Sequence, residues 1–140
     1  MTYLQALYGS QYNEITQRGK DGNAGRLNGN LFLSAFIILL FMVTVGILYR
    51  ITSDFNILQG SSIAHTLEFI SGKALGRILA IPLLFICYMV VSHTVGNQAN
   101  YQIHVSAFMQ YPNDTKEQAN KRILLPFAVV LVVFILLIVV

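Results

Sequence analysis

The chain is short of charged residues. Asp, Glu, Lys and Arg together make up 11% of its 140 residues, whereas 55% are hydrophobic. An average soluble domain carries about 25% charged residues. So few charges cannot cover a surface that faces water, which argues against a soluble globular protein. The nine Lys and Arg residues form no cluster dense enough to indicate binding to DNA or RNA.

Cysteine is almost absent as well. Cys87 is the only one, so no intrachain disulfide can form, and a small buried packing residue is expected there. The N-terminus lacks a basic region followed by an apolar stretch. A cleavable signal peptide is therefore not expected, and the first apolar run is expected to direct membrane insertion.

Motifs that carry chemistry are lacking too. The sequence has no G-x-S-x-G nucleophile motif, no zinc-ligand spacing and no dinucleotide fingerprint. Glycines at 19, 22, 25 and 29 do not match a phosphate-binding loop, and they predict a turn-rich linker over 19–30. We therefore expect a protein that is not an enzyme and that needs no cofactor or metal.

Three long apolar runs are what the sequence does contain. Leu31–Tyr49, Ile78–Val95 and Ile123–Val140 include no Asp, Glu, Lys or Arg. A helix of about 20 mostly apolar residues crosses the hydrocarbon core of a bilayer. The prediction is an all-α membrane protein, one membrane domain over 1–140, with spans at about 31–51, 73–95 and 122–140. Pro82 and Pro126 are expected to bend the second and third spans.

Two shorter segments are predicted to be amphipathic helices. In the N-terminal segment an apolar stripe recurs at helical spacing, formed by Leu4, Leu7, Tyr8, Tyr12 and Ile15. Such a helix either lies at the membrane interface or packs against a partner protein, and disorder is the remaining alternative. A second, short interfacial helix is predicted over 61–71, before the second span. The polar segment 96–110 is expected to prolong that span, and Asp114 or Thr115 to cap the third helix.

Small residues suggest where helices pack together. Gly72, Gly76 and Ala80 are spaced by four, which places them on one helix ridge that a neighbouring helix can approach closely. This ridge is the predicted helix-packing interface. The alternative is that the glycines only mark the start of the second span.

Histidine is the one candidate for cofactor chemistry. The apolar cores hold no carboxylate, Lys or Arg, which argues against a proton relay, an ion pump or a voltage sensor. Of His65, His93 and His104, only His93 lies within the end of a span. It is the candidate cofactor-binding residue, as a haem ligand, with a symmetric dimer as one source of the second ligand. The alternative is an interfacial polar residue.

The distribution of cations predicts an orientation. Six cations flank the first and third spans on one side, and three (Arg50, Lys73 and Arg77) lie in the first loop. The positive-inside rule then places the N-terminus in the cytoplasm and the C-terminus on the far side. The bacterial inner membrane is the expected location.

These features together predict a non-catalytic structural or accessory subunit of a larger integral-membrane complex, in a respiratory, secretion or transport assembly. Its expected partners are other membrane subunits and the lipid bilayer, with no nucleic acid. One alternative is a self-associating small pore or holin-like homo-oligomer. The other is a haem- or quinone-binding membrane anchor of an electron-transfer enzyme.

Overall fold

Helices make up the secondary structure of the described residues, which form no strand. The computed structural model describes the backbone of residues 1–54 and 73–139, and the side chains of residues 1–51 and 81–139. The helices are α1 (Tyr3–Gln17), α2 (Ala24–Asp54), α3 (Lys73–His93), α4 (Gln98–Met109), α5 (Asn113–Glu117) and α6 (Ala119–Val139).

Helix α2 connects the N-terminal helix to the other long helices, because it contacts α1, α3 and α6. Near its start, the rings of Phe32 and Phe36 lie 5.2 and 6.0 Å from the ring of Phe127 on α6. Further along, Gly46 faces Leu137. The residue numbers rise together on the two helices, so α2 and α6 run in the same direction.

Two helical stretches among the described residues are long and apolar enough to cross a membrane. They are Ala24–Ile51, with 28 residues, and Asn113–Val139, with 27 residues. In the part of α3 whose side chains are described, Ile81–His93 is a shorter apolar helix. Three crossings are therefore not confirmed. Only 17% and 6% of the most apolar windows of the two long stretches are buried.

The first long helix begins earlier than predicted. Helix α2 starts at Ala24, whereas the predicted span began at 31. The prediction of a linker over 19–30 was therefore wrong for Ala24–Asn30, and the connection between α1 and α2 is only about six residues. The 31 residues of α2 extend for about 46 Å. This is longer than the roughly 30 Å of a hydrocarbon core.

Helix α3 contains Pro82 and ends at His93, so the prediction that 96–110 prolongs this helix was wrong. A turn follows instead, and Asn97 caps the separate helix α4 by accepting a hydrogen bond from the backbone N–H of Asn100 at 2.8 Å. Gly72, His65 and the predicted interfacial helix over 61–71 lie outside the described residues. So do the side-chain surroundings of Gly76 and Ala80.

The short helix α5 directly precedes the last helix, α6. Pro112 is the N-cap residue of α5 and makes no side-chain capping bond, so the capping role predicted for Asp114 or Thr115 was wrong. Gln118 separates α5 from α6, and Pro126 lies inside α6. Proline has no backbone N–H to donate, so α6 lacks one intrahelical hydrogen bond near its start.

Candidate functional site: a buried polar cluster in the cap

The N-terminal helix packs on its own chain. Thr2 begins α1 with a reciprocal capping box, in which its hydroxyl accepts from the N–H of Gln5 and the Gln5 side chain accepts from the N–H of Thr2. On the inward face, Leu7 and Tyr8 are buried against α4, α2 and α6. The amphipathic helix is present as predicted, but the surface that covers its apolar stripe belongs to the same chain.

We call residues 1–30 together with 94–117 the cap. It comprises α1, the first turns of α2, the turn after α3, and α4 with α5. Its apolar interior is formed by Ala6, Leu7 and Phe108, and it continues into Leu33 and Val91 at the ends of α2 and α3. The cap and the long helices therefore share one core.

Asn30 joins three elements of the chain through its buried side chain. The hydroxyl of Tyr8 donates to Asn30 Oδ1 at 2.8 Å. Asn30 Nδ2 donates to the carbonyl oxygen of Gly96 at 3.1 Å. The Ser34 hydroxyl donates to the Asn30 carbonyl oxygen at 2.7 Å, one turn further along α2. α1, the start of α2 and the turn after α3 are thus tied to one carboxamide.

Glycine permits the close approach of these groups. A Cβ on Gly29 would lie 2.6 Å from Cδ1 of Tyr8. A Cβ on Gly96 would lie 2.7 Å from the Tyr8 hydroxyl oxygen and would overlap the Asn30 carboxamide. A Cβ on Gly9 would overlap the Phe108 ring. At these positions glycine supplies room for a neighbouring side chain. For Gly29 the sequence pattern had predicted only a turn-rich linker.

Tyr101 extends the cluster across the cap. Its hydroxyl donates to the carbonyl oxygen of Gly22 at 2.7 Å, and its ring meets Tyr8 edge to face, with centroids 5.5 Å apart. The ring of His104 stacks on Tyr8 with a centroid distance of 5.8 Å. The loop between α1 and α2 is therefore held against α4.

Burial sets the protonation of this cluster. It raises the pKa of Tyr8 and of Tyr101 to about 12, and it lowers the pKa of His104. All three side chains are therefore neutral at pH 7. Hydroxyl groups with such a high pKa are poor acids, and both already donate hydrogen bonds within the fold. The cluster is therefore better suited to stabilising the fold than to proton transfer.

His93 is the sequence-predicted cofactor residue, and it is exposed at the end of α3. Its Nδ1 lies 2.8 Å from the carbonyl oxygen of Met89, so Nδ1–H donates to its own helix and Nε2 is the ring nitrogen left to bind a ligand. Among the described residues no group of three or more His, Cys, Asp and Glu side chains could hold a metal ion.

No protein-family model, curated protein or solved structure matches this chain. Its function is therefore inferred from the contacts and surfaces of its own residues.

The outward face of helix α4 gives the cap a surface without charged side chains. Helix α4 contains no charged residue, and its outward face consists of Gln98, Ala99, Gln102, Ile103, Ser106 and Met109. On this face the Ile103 side chain is 61% exposed and Met109 is 41% exposed. We call these six residues the neutral face. The sequence shows that this helix is uncharged, but not which of its residues point outward.

A polar cleft lies between α1 and α5. It has a volume of about 490 Å³. Both acidic and basic side chains line it, together with several amides: Asn13, Glu14, Gln17, Asn113, Lys116 and Glu117. Lys116 is held there by a hydrogen bond from Nζ to the carbonyl oxygen of Met109 at 3.0 Å. The cleft is charged and hydrated in character, so it contrasts with the neutral face.

Proposed function

We propose that the protein is a three-span membrane protein and a non-catalytic structural or accessory subunit of a larger membrane complex. The cap presents the neutral face of α4 to a partner subunit. The observation that carries this proposal is the exposure of Ile103 and Met109 on a helix without any charge, held in place by the buried Tyr8–Asn30–Gly96 connection.

The direction of the helices supports three crossings. Helix α2 leaves the cap, and the bond from Asn30 to Gly96 places the end of α3 beside the start of α2. α3 therefore runs back toward the cap. Helix α6 leaves the cap again, parallel to α2. Since the long apolar helices leave most of their side chains uncovered, a lipid environment is the one that stabilises them.

Charge supports an orientation with the cap in the cytoplasm of a bacterial cell and the C-terminus across the inner membrane. The cap and the start of α6 carry six cations, namely Arg18, Lys20, Arg26, Lys116, Lys121 and Arg122. The opposite loop carries three. Cations are retained on the cytoplasmic side. In a Cys87→Ser background, Gln17→Cys should react with a membrane-impermeant maleimide only after the inner membrane is permeabilised.

The composition of the neutral face fits a protein partner. The cores of protein interfaces are depleted in charged residues and enriched in Met and aromatic residues. Elsewhere on the cap, Glu14, Arg18 and Lys20 are exposed, as expected of a surface that remains in water. The two glutamines on the neutral face need hydrogen-bond partners, which a protein surface offers and a hydrocarbon interior does not.

The test is site-specific photo-crosslinking in the native membrane, followed by extraction in mild detergent and mass spectrometry. A photoreactive residue at Ile103 should give one stoichiometric adduct with another protein, and the same residue at Gln17 should not. Ile103→Asp should release that protein, whereas Gln17→Asp should retain it. A homogeneous homo-oligomer without any other protein would overturn the subunit proposal and favour the pore alternative.

His93 supports a second candidate, a haem- or quinone-binding anchor of an electron-transfer enzyme. Ligating histidines commonly donate their other ring N–H to a carbonyl oxygen, as His93 does to Met89. A haem absorption band in the purified protein that is lost in His93→Ala and retained in His104→Ala would favour this candidate. Identical spectra for wild type and His93→Ala would remove it.

A further inference from the structure

Two grooves meet at the start of α6. The first is about 530 Å³ in volume and is lined by Gln118, Lys121, Arg122 and Pro126. The second is about 700 Å³ in volume and runs down α6 along Leu124, Ala128 and Val132. Lys121 and Leu125 line both. A groove that carries two cations is thus continuous with an apolar one.

The charge at this junction is available to a ligand. Lys121 is exposed, and among the described residues the one ion pair joins Arg18 to Glu14, so Lys121 has no acidic partner there. Glu117, one turn earlier, lines the cleft on the side of α1. Arg122 donates from Nη1 to the carbonyl oxygen of Met1 at 2.9 Å, which leaves the rest of its guanidinium group open.

The dimensions of the apolar groove match one lipid leaflet. From Leu124 to Val133 the helix rises about 14 Å. Half of a hydrocarbon core of roughly 30 Å is about 15 Å. The cations therefore lie at the depth of the lipid headgroups when the apolar groove lies among acyl chains. This placement rests on the membrane location proposed above.

We propose that the junction is a binding site for one anionic phospholipid from the surrounding leaflet. Lys121 and Arg122 hold the phosphate, Gln118 donates to a headgroup oxygen, and one acyl chain occupies the groove beside Leu124, Ala128 and Val132. Because Arg122 also holds Met1, which directly precedes the N-cap residue of α1, the bound lipid steadies the contact between α1 and α6. Charge complementarity selects an anionic over a zwitterionic lipid. The apolar groove selects a lipid over a free phosphate, because only a lipid brings an acyl chain.

The test uses the full-length protein in nanodiscs with equal amounts of phosphatidylglycerol and phosphatidylcholine, released and weighed by native mass spectrometry. Wild type should retain one phosphatidylglycerol. Lys121→Gln should lower its retention about fivefold, the effect of one cation near a membrane surface. Lys20→Gln is the matched control, because Lys20 is exposed on the cap and lines neither groove. It should leave retention unchanged.

A second variant tests the groove separately from the charge. Ala128→Phe fills the groove and should lower retention although all cations remain. Equal retention of the two lipids, or an equal loss in Lys20→Gln and Lys121→Gln, would contradict a specific binding site and indicate general attraction to the cationic surface. Unchanged retention in Ala128→Phe would show that no acyl chain occupies the groove. Partner release by Ile103→Asp is read in a separate experiment, so either proposal can fail while the other stands.

Discussion

The hydroxyl of Tyr8 donates a hydrogen bond of 2.8 Å to Oδ1 of Asn30, and both side chains are almost completely buried. Nδ2 of Asn30 in turn donates a hydrogen bond to the carbonyl oxygen of Gly96. Residues far apart in the sequence are thereby held together where the cap meets the ends of α2 and α3. This contact, together with the shared apolar core, fixes the orientation of the cap relative to the long helices.

Removing the Tyr8 hydroxyl tests the connection. Tyr8→Phe leaves Asn30 Oδ1 buried without a donor, which costs about 1–3 kcal/mol of stability. The cap should open more often, and trypsin should cleave after Arg18 and Lys20 faster than in wild type. Tyr12→Phe is the control, since Tyr12 is only partly buried, and its cleavage rate should match wild type. Equal protection in all three proteins would contradict the assigned role of the Tyr8 hydroxyl.

Gly96→Ala tests the close approach at the turn after α3. The added Cβ overlaps the Asn30 carboxamide, and overpacking of this kind costs about 1–3 kcal/mol. The thermal unfolding midpoint in detergent, followed by circular dichroism, should fall. Gly46→Ala is the control, because its Cβ meets Leu137 at an ordinary 3.5 Å and alanine favours a helix. Its midpoint should be unchanged or slightly raised, and a drop equal to that of Gly96→Ala would count against the packing argument.

Alkaline pH should weaken the cap. The pKa of Tyr8 and of Tyr101 is about 12 in the folded protein, compared with 10.0 for an ordinary tyrosine. The unfolded chain therefore loses these protons first, so their contribution is complete below pH 10 and is lost as the pH rises toward 12. Tyrosinate absorbance should show a late phase that is much smaller in the Tyr8→Phe/Tyr101→Phe protein. Burial also raises the pKa of Tyr3, which accounts for any remainder. Titration of the wild type in a single phase near pH 10 would contradict the prediction.

Mildly acidic pH should also destabilise the cap through His104. Burial lowers the pKa of His104 below its ordinary 6.5, so its contribution is present above pH 6.5 and is lost as the pH falls through the folded-state pKa. His104→Phe keeps the stacking on Tyr8 without the titration. The unfolding midpoint should fall between pH 7.5 and pH 5 by more in wild type than in His104→Phe. His93→Phe, at an exposed site, should behave like wild type.

The capping box of α1 should account for part of its helicity. Thr2→Ala removes the acceptor for the N–H of Gln5, at a cost of about 1 kcal/mol. Amide hydrogen exchange in the first turn of α1 should accelerate. Thr16→Ala, at the exposed end of the same helix, is the matched control and should leave that turn unchanged. Equal exchange in both variants would show that packing alone holds the start of α1.

Local patterns predicted the helices well where a single helix decides its own structure. The apolar stripe from Leu4 to Ile15 predicted α1, and it is confirmed as a helix. The apolar run from Leu31 lies within α2. The start of α2 was misplaced because Gly25 and Gly29 look like breaks in a sequence, whereas in the fold they lie against the side chains of Tyr101 and Tyr8.

The candidate site was less predictable. His93 was singled out by its place at the end of an apolar run, but Asn30 carried no signal, since a lone asparagine before such a run looks like an ordinary boundary residue. Its partners, Tyr8 and Gly96, lie 22 and 66 residues away in the sequence. The outward direction of Ile103 was equally hidden, because it depends on which side of α4 the other helices cover.

The sequence by itself determined that the described chain is helical, with long apolar helices. Hydropathy and helix periodicity act over neighbouring residues, and backbone hydrogen bonds within a helix need no distant partner. Only the tertiary structure decided that α1 covers its own chain, that glycines make room for tyrosines, and that α4 turns its neutral face outward. These features arise from buried hydrogen bonds and close packing between residues far apart in the chain, and no local pattern records such contacts.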